Sequence, residues 1–213
     1  SDEDLQVRCC DFLLPCSIGC TFYNAGSLTC NREPTTRAEA GKYVCLALSD
    51  AVVVVVLNDP ERFNSLHPAL VEDLSAAVNY IVAARSQLQV LVLQGTGKHF
   101  CVGANHYHEH QKQERISIAQ ETWRRHTGMR GFSELRALPL PIFCTVHGFL
   151  QGGAMSTMFN CESRVSDSGA QFQHGNLPRG VSPAGGYSTT PVVILGSSKA
   201  RAMYLCNEVI SAV

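Results

Sequence analysis

The sequence predicts an α/β domain, and three stretches carry that reading. Val52 to Val56 is a β-branched run bounded by turn residues, which reads as a strand. Ala69 to Arg85 places Leu70, Val71, Leu74, Val78, Ile81 and Val82 at helical spacing. Ile142 to Val146 is a further apolar strand, followed by a glycine loop and the helix-compatible Ala154 to Asn160. That last order exposes backbone N–H groups at a helix N-terminus.

Residues 1–42 form a cysteine-rich lead-in of no strong period, ending in the polar stretch Asn31 to Arg37, which reads as a loop. Its spacings, Cys16-x3-Cys20 and Cys20-x9-Cys30, lack the C-x2-C pairs usual in zinc modules, so packing thiols are expected there. Residues 43–213 are the expected core domain. Val44 to Leu48, a Ser49-Asp50 turn and the valine run make a hairpin, and consecutive apolar residues predict burial of the run on both faces. Asn58-Asp59-Pro60 breaks it, and Pro68 suits the first turn of the helix that follows. Val90 to Leu93 is the next strand, stopped by Gly95-Thr96-Gly97, for an order of β-β-α-β. Residues 105–131 are polar and rich in His, Arg, Glu and Gln, as a mobile lid would be, and Phe132 to Leu138 reads as a helix closed by Pro139 and Pro141. A strand near Arg164 to Ser166, a loop from Phe172 to Gly186 and a helix from about Ser198 complete the chain.

Composition narrows the function. The chain has 213 residues, with 17 Lys+Arg against 18 Asp+Glu, a net charge of −1. No global field holds such a protein to nucleic acid or to an anionic membrane, and neither is expected as a partner. No apolar run approaches the roughly 20 residues that cross a bilayer. The acidic start, Ser1-Asp2-Glu3-Asp4, does not resemble a secretory signal. Of ten cysteines, Cys101, Cys144, Cys161 and Cys206 sit in apolar or small-residue contexts typical of reduced, buried thiols. A reducing, cytoplasmic location is expected.

Two glycine-centred loops carry the candidate chemistry: Phe100-Cys101-Val102-Gly103-Ala104-Asn105 after one strand, and His147-Gly148-x3-Gly152-Gly153-Ala154 after another. With Leu57-Asn58-x-Pro60-x3-Asn64-Ser65-Leu66 and the segment Phe172 to Gly186, they resemble the crotonase (enoyl-CoA hydratase/isomerase) superfamily. Its usual strings are close to LNRPxxxNAL, FxAGAD, GxxxGGG and FxxPExxxGxxPxxGG. The four matches fall in the right order over residues 43–212. The resemblance implies a ββα spiral with helices packed around the sheets. It implies an oxyanion site in which the N–H groups of Ala104 and Gly153 hold a thioester carbonyl, with Gly103 and Gly152 allowing close approach. No cofactor is expected to be tightly bound; the thioester carrier is CoA or phosphopantetheine. The family usually assembles as trimers or dimers of trimers through elements after the last helix seen here, and the chain stops at Val213, short of those C-terminal helices.

Departures from the pattern shape the expected reaction. Family hydratases carry two glutamates where this sequence has Ser156 and Asn176, and neither residue is a general base near neutral pH. What remains is an enolate-stabilising site, which suits decarboxylation. The strings Gly131 to Gly148 and His174 to Ser188 look similar to polyketide-synthase-associated members that decarboxylate a glutaryl-type chain on acyl carrier protein, so an acyl carrier protein is an expected partner. Alternatives are a hydratase, dehydratase or isomerase with nonstandard residues, or a non-catalytic thioester-binding module. Proton-donor candidates are Lys112, eight residues past Ala104, and His174, two before Asn176. Arg62 is placed like residues near the nucleotide or pantetheine entrance, where an exposed loop charge is the plainer account. Tyr187 either packs or presents a hydroxyl. His106, His108 and His110 alternate, but no carboxylate or cysteine spacing completes a metal set, so they read as a polar lid. Arg115, Arg124, Arg125 and Arg130 make that lid locally basic.

Overall fold

A computed structural model of the chain describes residues 41–49, 51–104, 131 and 133–212, and the backbone of 20–23 and 27–30. Where the sequence shows no strong period, Cys20–Tyr23 (β1) and Ser27–Cys30 (β2) pair as an antiparallel hairpin. Next come Val44–Ser49 (β3), Val52–Leu57 (β4), the helix Pro68–Ala84 (α1), Val90–Gly95 (β5) and Ile142–Val146 (β6). Phe149–Gln151 (β7), Gly153–Phe159 (α2), Ser163–Ser166 (β8) and Gln171–Gln173 (β9) follow. Thr190–Leu195 (α3), Ser197–Cys206 (α4) and Val209–Ser211 (β10) end the described chain. Residues 131 and 133–136 are helical, as expected before Pro139.

The main sheet runs β3-β4-β5-β6-β8, with β3 antiparallel to β4 and every later pair parallel. Three of the predicted strands, at Val52–Leu57, Val90–Gly95 and Ile142–Val146, are therefore neighbours. A smaller sheet has the order β10-β9-β7, with β7 parallel to β9. The sequence reading treats β7 and β9 as parts of loops, because three residues beside glycines are too short to show a period.

Helix α1 begins where Pro68 presets its first turn and the His67 side chain accepts from the Leu70 N–H at 3.3 Å. It buries Leu70, Val71, Leu74, Ala77, Val78 and Ile81 over the sheet. On the sheet, Val53, Val55, Leu57, Leu91, Leu93, Ile142 and Cys144 are fully buried. The expectation that β4 is buried on both faces is not met, since Val52, Val54 and Val56 are only half-buried. Valine runs reflect strand preference as well as burial, so a β-branched residue on the less covered face costs little. Cys101, Cys144 and Cys161 are buried thiols as expected, whereas Cys206 at the end of α4 is exposed. Burial pushes the Cys101 thiol up to about 12, leaving it inert near neutral pH.

Candidate active site

The site lies where the chain leaves β5 and β6, because parallel strands deliver their following loops to one edge of the sheet. The two loops interlock. Phe100 N–H donates to His147 C=O at 2.9 Å, and Phe149 N–H donates to His99 Nδ1 at 2.9 Å. His147 Nε2 lies 2.9 Å from Gly97 C=O and so carries the proton it donates. Desolvation, reinforced by Lys98 and His147, lowers the pKa of His99, consistent with a neutral ring whose Nδ1 accepts.

Two backbone donors emerge from this junction. The parallel bridge between Leu66 and Ala104 is closed by Leu66 N–H donating to Gly103 C=O at 2.8 Å, so the Ala104 N–H takes no part in that pairing. Gly153 opens α2, where the first N–H groups have no intrahelical acceptor and the helix dipole is positive. Gly103 brings the loops into contact. At φ +87, a Cβ placed on it would lie 2.3 Å from Gln151 O and 3.7 Å from Gly153 N. Gly152, at φ +55, gives its N–H to His174 C=O at 3.1 Å, and the point its Cβ would occupy is 3.6 Å from Asn176 Oδ1.

The structure thus brings Gly103, Ala104, Gly152, Gly153, His174 and Asn176 to one place, and it arranges the other predicted residues differently. The Ser156 side chain is wholly buried, and its hydroxyl donates to Gly185 C=O at 3.0 Å and Ala184 C=O at 3.3 Å. It ties α2 to the turn after Val181. His174 is buried, with its ring stacked on Tyr187 at 4.3 Å and edge-on to Tyr204 at 4.7 Å. Among the described residues, His174 Nδ1 and the Tyr187 hydroxyl have no hydrogen-bond partner. Burial lowers the His174 pKa and raises that of Tyr187. Arg62 lies on the turn leading into the segment that pairs with Gly103, with its guanidinium 3.2 Å from Asp59 and over the Tyr43 ring. Lys112, His106, His108, His110 and the arginines from Arg115 to Arg130 lie outside the described residues. Among the described residues, no group of three His, Cys, Asp or Glu side chains is placed to hold a metal ion, and no helix is long and apolar enough to cross a membrane.

Sequence reasoning gave no role to Asn64, His99 or His147. Asn64 stands inside a quoted motif, and both histidines flank the glycine loops, but which atoms they hold is a long-range matter. A cavity of about 160 Å³ lies at the far end of α2, lined by Phe159, Asn160, Thr190, Val193 and Ile194 among others; Gly153 is at the opposite end of that helix.

A family model described as enoyl-CoA hydratase/isomerase matches residues 47–213. The chain belongs to that family. Solved structures agree on the crotonase fold: an enoyl-CoA hydratase from Shewanella pealeana superposes with a TM-score of 0.74 at 23% identity, covering 80% of this chain and 63% of its own. One from Bacillus anthracis gives 0.72 at 21%, over 80% and 65%. Among curated relatives, a short-chain-enoyl-CoA hydratase from Clostridium acetobutylicum is 24% identical over 170 residues, 79% of this chain and 63% of its own. A mevalonyl-coenzyme A hydratase from Aspergillus fumigatus is 26% identical over 161 residues, 76% and 58%. The enoyl-CoA hydratase/isomerase family chain described here spans about three-fifths of the length of the curated relatives it matches.

Proposed function

We propose that this family member stabilises the enolate of an acyl thioester and uses that site to decarboxylate a glutaconyl-type chain carried on CoA or on the phosphopantetheine of an acyl carrier protein in polyketide β-branching. The observation that carries the reading is the pair of backbone donors, Ala104 and Gly153, with Asn176 near Gly152 and the Ser156 hydroxyl held by the Ala184 and Gly185 carbonyls at the two positions where the family's hydratases have glutamates. As the C–CO2 bond breaks, its electron pair flows into the thioester carbonyl, and the new oxyanion is met by both N–H groups and the positive end of α2. Preorganised donors of this kind are worth about 3–4 kcal/mol each. CO2 leaves, a proton is added to carbon and the thioester is restored. No water need be activated, so the carboxylates that hydration needs are dispensable.

His174 and Lys112 are the proposed proton donors. His174 Nδ1 is buried and has no partner among the described residues, which supports this role. Arg62, partly exposed on its turn, is proposed to meet the phosphates of the carrier. Assembly as a trimer or dimer of trimers and a cytoplasmic location belong to the same proposal.

A second reading, hydration or isomerisation of an enoyl thioester, draws on the hydratase names of the curated relatives. Incubation with glutaconyl-CoA and with crotonyl-CoA separates the two. Release of CO2 without hydration supports decarboxylation, hydration alone supports the second reading, and binding of both without turnover leaves a thioester-binding module.

A further inference from the structure

We infer that Asn64, locked by Asp59 and His67, is the positioning residue that aims the Ala104 donor; the inference rests on the oxyanion reading of Ala104 and Gly153. Asn64 is fully buried, with a backbone φ of +52. Its amide nitrogen lies 2.8, 3.0 and 3.1 Å from the carbonyls of Thr96, His99 and Phe100. One side chain thereby gathers the turn after β5 from both ends. Its Oδ1 accepts from Asp59 N–H at 2.7 Å, and its own N–H donates to Asp59 C=O at 2.9 Å.

Asp59 is fixed in turn. Its carboxylate is 2.9 Å from His67 Nε2, and His67 Nδ1 accepts the Leu70 N–H at the start of α1. Because Nδ1 accepts, the ring proton sits on Nε2 and points at Asp59. Helix α1, packed into the core, is thus connected through His67, Asp59 and Asn64 to the carbonyl of Phe100, four residues before the donor. The same segment holds the far end of the loop, since Val102 N–H donates to Phe63 C=O at 3.3 Å and Leu66 N–H to Gly103 C=O at 2.8 Å. Residues 100–104 therefore have their path set by Asn64 at one end and by the Phe63–Leu66 backbone at the other. A buried side chain in a left-handed backbone, meeting four main-chain groups, is costly to place and has that placement as its return.

The test uses butyryl-CoA, saturated and labelled with ¹³C at its carbonyl, as the probe bound to the full chain. Hydrogen bonds from the oxyanion donors lower the carbonyl stretching frequency in the infrared, and calorimetry reads affinity separately. Asn64→Asp keeps the shape and loses the amide donor; Asn64→Gly keeps the left-handed backbone without strain and loses the side chain. Both are expected to lose most of the downshift while affinity changes less than about threefold, since misplacing one donor affects carbonyl polarisation more than binding of the whole carrier. Leu74→Ala, a core cavity in α1 of comparable destabilisation, is expected to keep the full downshift. If wild type shows the downshift and both Asn64 variants retain it, the positioning role is overturned and the oxyanion reading stands. If wild type shows none, the oxyanion reading fails and this inference fails with it. Should one Asn64 variant not fold, the other decides.

Discussion

Replacing Gly103 with alanine separates donor geometry from general stability. Position 103 sits at φ +87, where a Cβ would stand 2.3 Å from the Gln151 carbonyl oxygen, while ordinary contact begins near 3.4 Å. The shortfall, 3.4 − 2.3 = 1.1 Å, falls between two backbones, so no side-chain rotation relieves it. One loop must recede from the other by about that much. A hydrogen bond of roughly 2.9 Å stretched by such a distance is no longer a hydrogen bond. The expected result is the loss of one donor's contribution, about 10²- to 10³-fold in kcat. The positive φ adds a stability cost of about 1–3 kcal/mol, a fall of roughly 2–10 °C in Tm for a domain of this size. Gly196→Ala is the control: φ is +80, and nothing among the described residues lies within 4 Å of its added Cβ. It pays the backbone strain alone and is expected to lower Tm similarly with kcat within about threefold, since its added Cβ touches neither donor loop. CO2 release from glutaconyl-CoA and thermal unfolding are measured for both. If Gly103→Ala matches Gly196→Ala in kcat, contact between the two loops does not set donor geometry, and the reasoning is refuted.

Three further outcomes are expected. Gly153→Pro deletes the second donor at the first position of α2, which proline tolerates, so the protein should fold while turnover falls about 10²-fold or more; near-normal turnover would remove Gly153 from the site. Ser156→Ala removes the hydroxyl that binds the Ala184 and Gly185 carbonyls, and should cost about 1 kcal/mol in denaturant unfolding with kcat changed less than about fivefold. A loss of 10²-fold or more would instead make that hydroxyl catalytic. Stability should fall as pH drops below about 6.5, where an unfolded histidine takes up a proton. The folded state holds His174 and His99 at lowered pKa values, so it binds fewer protons than the unfolded state over that range and stability rises with pH through it. The slope should stay below roughly 1.4 kcal/mol per pH unit for each histidine, and His174→Asn should flatten it in unfolding curves between pH 8 and 5; an unchanged slope would mean that His174 gains no burial on folding.

Much of the frame is local, and local features are legible in a sequence. The β3–β4 hairpin follows from two apolar runs about a short turn, α1 from its apolar spacing and Pro68, and α2 from the glycine pair that precedes it. The candidate donor positions are also legible, because a backbone donor needs a glycine-rich turn between strand and helix, and that requirement leaves its mark on residue type. Side-chain commitments left no such mark. Nothing in the order of residues says that the Ser156 hydroxyl is taken up by carbonyls 28 and 29 residues later, or that His174 stacks on Tyr187. Asn64 stands in a recognisable motif, yet the three carbonyls it gathers lie 32 to 36 residues away and meet it only when β4 and β5 pair in register. The short strands β7, β9 and β10 exist for the same reason: three residues have too little intrinsic preference to form a strand alone, and pairing across the sheet decides it. Sequence by itself determined which backbone is free to donate, through glycine and proline. Tertiary structure decided which side chains are free to react, because a hydroxyl, amide or imidazole is defined by the partner that packing gives it.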